Sequence, residues 1–418
     1  MKAVIMAGGK GTRVASVRAD IPKPMLEVNG KPILEYQLEC LARQGWTEVT
    51  LVVGHLGHVI ERHFGRAWGG MELRYIVEDE PLGTAGALSY LRGEDDILLI
   101  NGDLIFDVDL ARFAAYHQEH GGLATVLTHP NDHPYDSTIL ATGDGGRVTR
   151  WLTKEEPRQW YPNRVNAGLH ILSAALVNEA FPDVPERKDL DRDVLRPLVA
   201  AGTLAAYDSP EYVRDMGTPG RLAEVGEALR SGLVAARNLA NPQRAAFLDR
   251  DGTINADVGF LTHIDDLRLR PGMAEYIREL NRGGYLVIVV TNQPVIARGE
   301  VTWAELEQIH WKLETLLGEQ GAFVDDIFVC PHHPDKGFPG ERPEYKIDCQ
   351  CRKPKPGMLL AAAAKYNIDL GSSFMVGDSE RDRGAAQAAG VRYLDVAADP
   401  LTVIPDLFRD LGRSPLWR

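Results

Sequence analysis

FLDRDGT, residues 247–253, lies in the middle of a 418-residue chain and decides how the rest is read. The apolar run Ala245–Leu248 predicts a strand, and it runs straight into two aspartates spaced one apart, Asp249 and Asp251. A Gly-Thr turn follows at once. Carboxylates delivered by a strand end mark the chemical edge of a parallel α/β sheet. A second enzyme is therefore expected to start near residue 244. The preceding residues need their own account, and they open with a glycine-rich loop, AGGKGTR (7–13), directly after the apolar strand Lys2–Met6.

Outward from that point both halves alternate short apolar strands with amphipathic helices. Strands are expected at 2–6, 48–53, 73–77 and 97–100, then at 245–248, 286–290, 327–329 and 373–376. Helix 33–43 places Leu34, Leu38 and Leu41 on one face, and helix 303–320 does the same with Leu306, Ile309, Leu313 and Leu316. The alternation predicts two Rossmann-like α/β domains, at 1–232 and 244–418, joined by a connector at 233–243.

Composition narrows the function. The chain carries 46 basic and 59 acidic residues, a net charge of −13, with no long Lys/Arg run. Nucleic acid and anionic membranes are thereby disfavoured as partners. No apolar run approaches the ~20 residues of a membrane span, and MKAVIMAGG breaks into glycines too early for a signal peptide. Of the 4 cysteines, three cluster at 330, 349 and 351. Such a cluster predicts a metal site in a reducing compartment, hence the cytoplasm.

The glycine loop by itself fits any phosphate. Val14 stands where a dinucleotide loop needs its third glycine, and no Walker motif occurs. Its company is more informative: Arg13, Lys23 in IPKPM, EDEPLGTAGAL (78–88), NGD (101–103), VNAGLHIL (165–172) and RDMGTP (214–219). On these motifs, residues 1 to about 230 resemble the sugar-1-phosphate nucleotidylyltransferases, closest to the guanylyltransferases of D-glycero-D-manno-heptose 1-phosphate. The resemblance implies a GT-A-like sheet. Gly8, Gly9, Gly11 and Thr12 would cradle the triphosphate, and Arg13 and Lys23 would neutralise the α-phosphate. Asp103 and Asp215 would hold Mg²⁺. Gly83 would meet base or sugar, with Asn166 and Gly168 on the sugar side. The sequence departs from the family at VASV (14–17) and at TKEEP (153–157), which leaves Lys154 and Glu155 both open as the sugar contact.

From 244 onward the chain resembles the haloacid-dehalogenase-type heptose 1,7-bisphosphate 7-phosphatases, whose pattern the histidinol-phosphate phosphatases partly share. The resemblance makes Asp249 the nucleophile and Asp251 the general acid and base. Two carboxylates are needed, because the nucleophile is esterified when water must attack. Thr291 in VVTNQ and Lys353 in CRKPKPG would hold the phosphate, and Arg352 would contact substrate. Asp378 in MVGD would complete a Mg²⁺ site with Asp249 and Asp251, with Asp382 as a helper. Pro294 and Val295 depart from the family loop, moving phosphate contacts to Asn292 or Arg298. Cys330, His332, Cys349 and Cys351 form C-x-H…C-x-C, a donor set for closed tetrahedral Zn²⁺. His333 is out of register and expected to face solvent.

The leading expectation is a bifunctional enzyme taking a heptose 1,7-bisphosphate to a nucleotide-activated heptose, with GTP or another NTP as co-substrate. Two alternatives stay open: a mannose- or glucose-type transferase fused to another small-molecule phosphatase, and a nucleotide-sensing domain regulating a phosphatase.

Overall fold

The computed structural model describes residues 1–8 and 21–396, whose packing forms two compact units. The first comprises 1–129, 140–152 and 166–238; the second comprises 130–139, 153–165 and the chain from 239 onward.

In the first unit the strand Lys2–Met6 sits between Glu48–Val53 and Ile97–Asn101, parallel to both. Met71–Val77 extends the sheet in parallel beyond Glu48–Val53, and Val165–Leu172 joins antiparallel on the far side of Ile97–Asn101. The inner strands are buried on both faces, which is why they read as continuous apolar runs rather than alternating ones. Helix Ile33–Arg43 lays Leu34, Leu38 and Leu41 into the core. A two-stranded ribbon pairs Leu104–Asp107 with Tyr212–Asp215, opposing Leu104 to Asp215, and Met216 N donates to Asp103 O at 2.9 Å. Asp103 and Asp215, distant in sequence, become neighbours.

The second unit holds a five-stranded, wholly parallel sheet in the order Asp326–Cys330, Leu286–Asn292, Ala245–Leu248, Phe374–Gly377, Arg392–Asp395. The strand that carries the two aspartates is central. Its residues alternate between the two cores, as a period of two requires. Ala246 and Leu248 pack with helices Met273–Arg282 and Trp303–Gly318, while Ala245 and Phe247 pack with Gly357–Tyr366 and Glu380–Ala389. Trp303–Gly318 opens with a capping box between Thr302 and Glu305. It buries Lys312, Glu314 and Thr315 as well as Leu306, Leu313 and Leu317, with Leu316 partly buried. The reason lies in 153–165. Tyr161 N donates to Thr315 Oγ1 at 3.1 Å, and Arg164 bridges Glu314 at 3.0 Å and Asp325 O at 3.2 Å.

The stretch expected as a connector holds the short helix Leu233–Ala236 and the buried Val234, Arg237, Asn238 and Leu239.

Candidate active sites

Asp249 starts where the central strand stops, its N–H donating to Val376 O at 3.0 Å. Lys353 Nζ lies 2.7 Å from Asp249 Oδ1 and 2.6 Å from Asp382 Oδ1. Lys353 is 3% exposed and Asp382 0%, so the lysine meets Asp249, which faces the cavity, from the protein interior. Burial works against the ammonium, but the two carboxylates outweigh it and hold the Lys353 pKa above its ordinary value. Burial likewise lifts Asp249 to about 6, opposed by Lys353 and assisted by Asp382. Asp382 is itself fixed, its Oδ2 accepting from Ser379 N at 3.1 Å and Ser379 Oγ at 2.6 Å.

Asp251 has the opposite bias. Burial pushes its pKa up, yet Arg250 outweighs burial and brings it below the usual carboxylate range. The Arg250 guanidinium donates to Asp251 Oδ1 at 3.0 Å and Oδ2 at 2.8 Å. Asn255 Nδ2 adds a bond to Oδ1 at 3.0 Å, and Gln293 Nε2 bonds Oδ2 at 2.8 Å and Thr291 Oγ1 at 2.8 Å. Behind them Arg250 is completely buried and reaches His310 Nε2 at 3.1 Å. Burial first, then the Arg250 charge, hold His310 down to about 3, so the imidazole is neutral and Nε2 accepts. Arg250, Asn255, Gln293 and His310 escaped the sequence reading. Arg250 was within sight, since it stands inside FLDRDGT, but no local pattern marks an arginine that is completely buried and folded onto its own neighbour.

Asp378 follows Gly377 at the neighbouring strand end. Burial and the Asp382 charge both raise its pKa. Gly252, at φ +80°, packs against it so closely that a Cβ there would fall on Asp378 Oδ2. Carboxylate oxygens of Asp249, Asp378 and Asp382 all lie within 4.8 Å of one another. Three hard oxygen donors at this spacing suit Mg²⁺. Asp251, expected in that set, accepts from Arg250, Asn255 and Gln293, while Asp382, expected as a helper, lies in the cluster with its own oxygens on Lys353 and Ser379.

Thr291, Asn292, Arg352 and Lys353 line one cavity of about 440 Å³ with Asp249, Asp251, Asp378 and Asp382. The Asn292 amide is committed to the Lys353 backbone, donating to its O at 3.1 Å and accepting from its N at 3.0 Å. It therefore positions the lysine. The Arg298 guanidinium lies between the rings of Phe260 and Phe338, 4.0 and 4.4 Å from their centroids.

Cys330 closes the strand Asp326–Cys330, and its sulfur lies 3.6 Å from Cys349 and 3.3 Å from Cys351. Cys349 and Cys351 are 3.2 Å apart, and His332 Nδ1 is 3.3 Å from Cys351 and 3.8 Å from Cys330. A tetrahedron of thiolates about 2.3 Å from zinc has edges of about 3.8 Å, so the four donors fit a closed zinc site. Arg352 NH1 donates to His332 O at 3.1 Å, tying this cluster to the cavity wall. His333 does not face solvent: its side chain is 14% exposed and meets the Phe338 ring edge-on. Its loop folds back, His333 N donating to Tyr345 O at 3.1 Å.

In the first unit, Gly9, Gly11, Thr12 and Arg13 lie outside the described residues. Gly8 ends the first strand's turn against Gly54 and Glu78. Lys23 pairs with Asp103. Asp215 accepts from Arg221 NH1 with both oxygens, at 2.7 Å each, and from Gly217 N at 2.9 Å. Gly83, at φ +83°, is pinned to the Lys188 backbone, where a Cβ would strike Lys188 O. Gly168 N donates to Asn166 Oδ1 at 3.1 Å, which also faces His170 Nε2 at 3.1 Å. Asn166 Nδ2 donates to Asp191 Oδ1 at 3.4 Å. Burial, then Asp189, raise Asp191 to about 6. Lys154 and Glu155 are exposed, in the segment 153–165 that packs with the second unit.

The Nucleotidyl transferase family model matches residues 2–232, and a HAD-hydrolase-like model matches 350–399. The D-glycero-beta-D-manno-heptose-1,7-bisphosphate 7-phosphatase of Escherichia coli (strain K12) is 42% identical over 166 residues, 39% of this chain and 85% of that protein. The like-named protein of Photorhabdus laumondii subsp. laumondii is 44% identical over 147 residues, 35% of this chain and 76% of that one. Among solved structures, HddC from Yersinia pseudotuberculosis aligns with a TM-score of 0.48 at 26% identity, over 55% of this chain and 99% of that chain. The chain belongs to the nucleotidyl transferase family through its N-terminal half and to the haloacid-dehalogenase-type heptose-bisphosphate phosphatases through its C-terminal half.

Proposed function

We propose that this is a bifunctional enzyme whose two sites act in succession on one sugar. The C-terminal site removes the 7-phosphate of D-glycero-D-manno-heptose 1,7-bisphosphate. The N-terminal site then joins the remaining 1-phosphate to a nucleotide, GMP from GTP, and releases pyrophosphate. The observation that carries the reading is the buried ion pair of Asp249 with Lys353, facing a cavity of about 440 Å³. That volume suits a sugar phosphate.

In the phosphatase step an Asp249 oxygen attacks phosphorus in line. The bond from phosphorus to the C7 oxygen breaks, and Asp251 gives that oxygen a proton. Asp251 is ionised in the empty site, and an arriving phosphate supplies the negative charge that raises its proton affinity. Water then attacks the phosphorus, Asp251 takes its proton, and the bond to Asp249 breaks. Lys353 neutralises the phosphoryl oxygens, Thr291 donates to one of them, and Gln293 keeps Asp251 aimed. Mg²⁺ held by Asp249, Asp378 and Asp382 would neutralise charge on the transferring group.

In the transferase step an oxygen of the sugar 1-phosphate attacks the α-phosphorus, and pyrophosphate leaves. Gly8, Gly9, Gly11 and Thr12 would cradle the triphosphate, Arg13 and Lys23 would neutralise charge on the α-phosphate, and Asp103 and Asp215, exchanging Lys23 and Arg221 for the ion, would hold a second Mg²⁺. Gly83, Asn166 and Gly168 shape the sugar side. Cys330, His332, Cys349 and Cys351 would hold zinc in a structural role, because four protein ligands would leave no open position. The catalytic regions correspond to 1–232 and 244–418. Unbridged thiols suit a cytoplasmic setting.

The test is to incubate the protein with Mg²⁺ and heptose 1,7-bisphosphate, then with GTP. Stoichiometric phosphate followed by pyrophosphate and a GDP-heptose supports the reading. Pyrophosphate from another sugar 1-phosphate at higher kcat/KM overturns the substrate assignment.

A further inference from the structure

Lys312, Glu314 and Thr315 of the helix Trp303–Gly318 are all buried. Lys and Glu are seldom buried without partners, and here the partners come from residues 153–165, which belong to the transferase half of the sequence yet pack with the second unit. Thr315 exchanges two hydrogen bonds with the Tyr161 backbone, both at 3.1 Å, and Glu314 pairs with Arg164. Lys312 has the sparest surroundings. It is 8% exposed and forms no ion pair among the described residues. Its ammonium donates to Ile264 O at 2.8 Å and lies 5.3 Å from the centroid of the Trp160 ring. A buried ammonium without a counter-ion is stabilised by such a ring face, whose π electrons replace part of the water it has lost.

Ile264 opens a 3₁₀ turn, Ile264–Asp266, just beyond Leu261. Asp257, Gly259, Phe260 and Leu261 line the cavity beside Asp249. Among the described residues the backbone of 257–262 makes no hydrogen bond outside that stretch. The bonds at its ends therefore set its course, and Lys312 makes one of them. We propose that Trp160 is a positioning residue of the phosphatase: its ring holds the Lys312 ammonium on Ile264 O and thereby fixes the loop 257–261, against which the sugar phosphate binds. This rests on the phosphatase reading above and adds to that site a residue from outside 244–418.

The experiment measures kcat and KM for heptose 1,7-bisphosphate, in the full chain with Mg²⁺, for the native protein, Trp160→Leu, Trp160→Phe, Lys312→Met and the double variant of Trp160→Leu with Lys312→Met. The melting temperature of each is recorded alongside. Trp160 is only half-buried, so its replacement leaves the core intact. Trp160→Leu keeps apolar bulk without the π face. Loss of a desolvated cation–π contact should raise KM about five- to thirtyfold, with kcat within about twofold of native. Trp160→Phe should restore most of the native KM. Lys312→Met should raise KM likewise, and adding Trp160→Leu to it should cost no more than about twofold further, because contacting residues are not additive. A native KM in Trp160→Leu overturns the assignment. So do additive effects in the double variant, and so does a lower melting temperature or kcat without the change in KM, which would make Trp160 a packing residue alone. A native protein that releases no phosphate from heptose 1,7-bisphosphate brings down the phosphatase reading, and this role with it.

Discussion

Arg250, completely buried, holds both carboxylate oxygens of the residue next to it, Asp251, at 3.0 and 2.8 Å. One side chain inside the aspartate pair thus separates the pair chemically. Asp249, lifted by burial to about 6, and Asp251, brought below its ordinary value by Arg250, are tuned in opposite directions.

Arg250→Lys keeps a charge but loses the fork. The guanidinium lowers the Asp251 pKa, so weakening it raises that pKa. The basic limb of the pH profile of phosphatase kcat/KM, which Asp251 sets as general acid, should move to higher pH, with kcat down about ten- to hundredfold. The profile is measured on a sugar phosphate, whose alkoxide leaving group needs the proton. An unmoved basic limb would remove the proposed role of Arg250.

The two chemistries should separate by single substitutions. Asp249→Asn should lower phosphate release by about a thousandfold or more and leave pyrophosphate release from a pre-formed sugar 1-phosphate nearly intact. Lys23→Ala or Asp103→Asn should do the reverse, because the Lys23–Asp103 pair lies wholly in the first unit. Parallel assays of both products decide it; joint loss from Asp249→Asn contradicts independent sites.

Gly252→Ala should cost phosphatase function through Asp378. The added Cβ falls on Asp378 Oδ2, and the residue must also hold φ +80°. A strained backbone of this kind costs about 1–3 kcal/mol. Lower thermal stability and at least a tenfold higher Mg²⁺ requirement are expected. Native Mg²⁺ dependence in the variant would refute this.

Metal analysis should find about one zinc per chain, the ratio that one four-ligand site requires. Cys349→Ser should lose that zinc and melt several degrees lower, because metal binding at such a site is folding free energy. A variant that melts like the native protein with no zinc bound would show that the sulfur cluster is not held by metal.

Asp191 gives a pH test in the first unit. Its folded pKa is raised from 3.8 to about 6, so the folded form binds the proton more tightly than the unfolded one. The penalty is absent below the unfolded value and complete above about 6. A shift of that size corresponds to about 3 kcal/mol at most. Asp191→Asn should flatten the fall in melting temperature between pH 4 and 7. An unchanged slope would show that Asp191 is not the titrating group.

What could be read from the chain was whatever is local or stepwise in sequence. FLDRDGT announced a strand end with paired carboxylates, the C-x-H…C-x-C spacing announced a sulfur-rich metal set, and period-two and period-3.6 patterns announced two α/β sheets. These signals survive in one dimension because strand ends, turns and helix faces are short-range. Contacts between distant segments decided the rest. That Arg250 turns back onto Asp251, while Asp382 comes within reach of Asp249 and Asp378, is recorded by no spacing rule. His310 reaches Arg250 only because helix Trp303–Gly318 packs over the central strand. Residues 153–165, which sequence order assigns to the first half, cover that helix through Tyr161 and Arg164. A buried polar atom takes whichever partner the packing brings within about 3 Å, and only the folded chain specifies which that is.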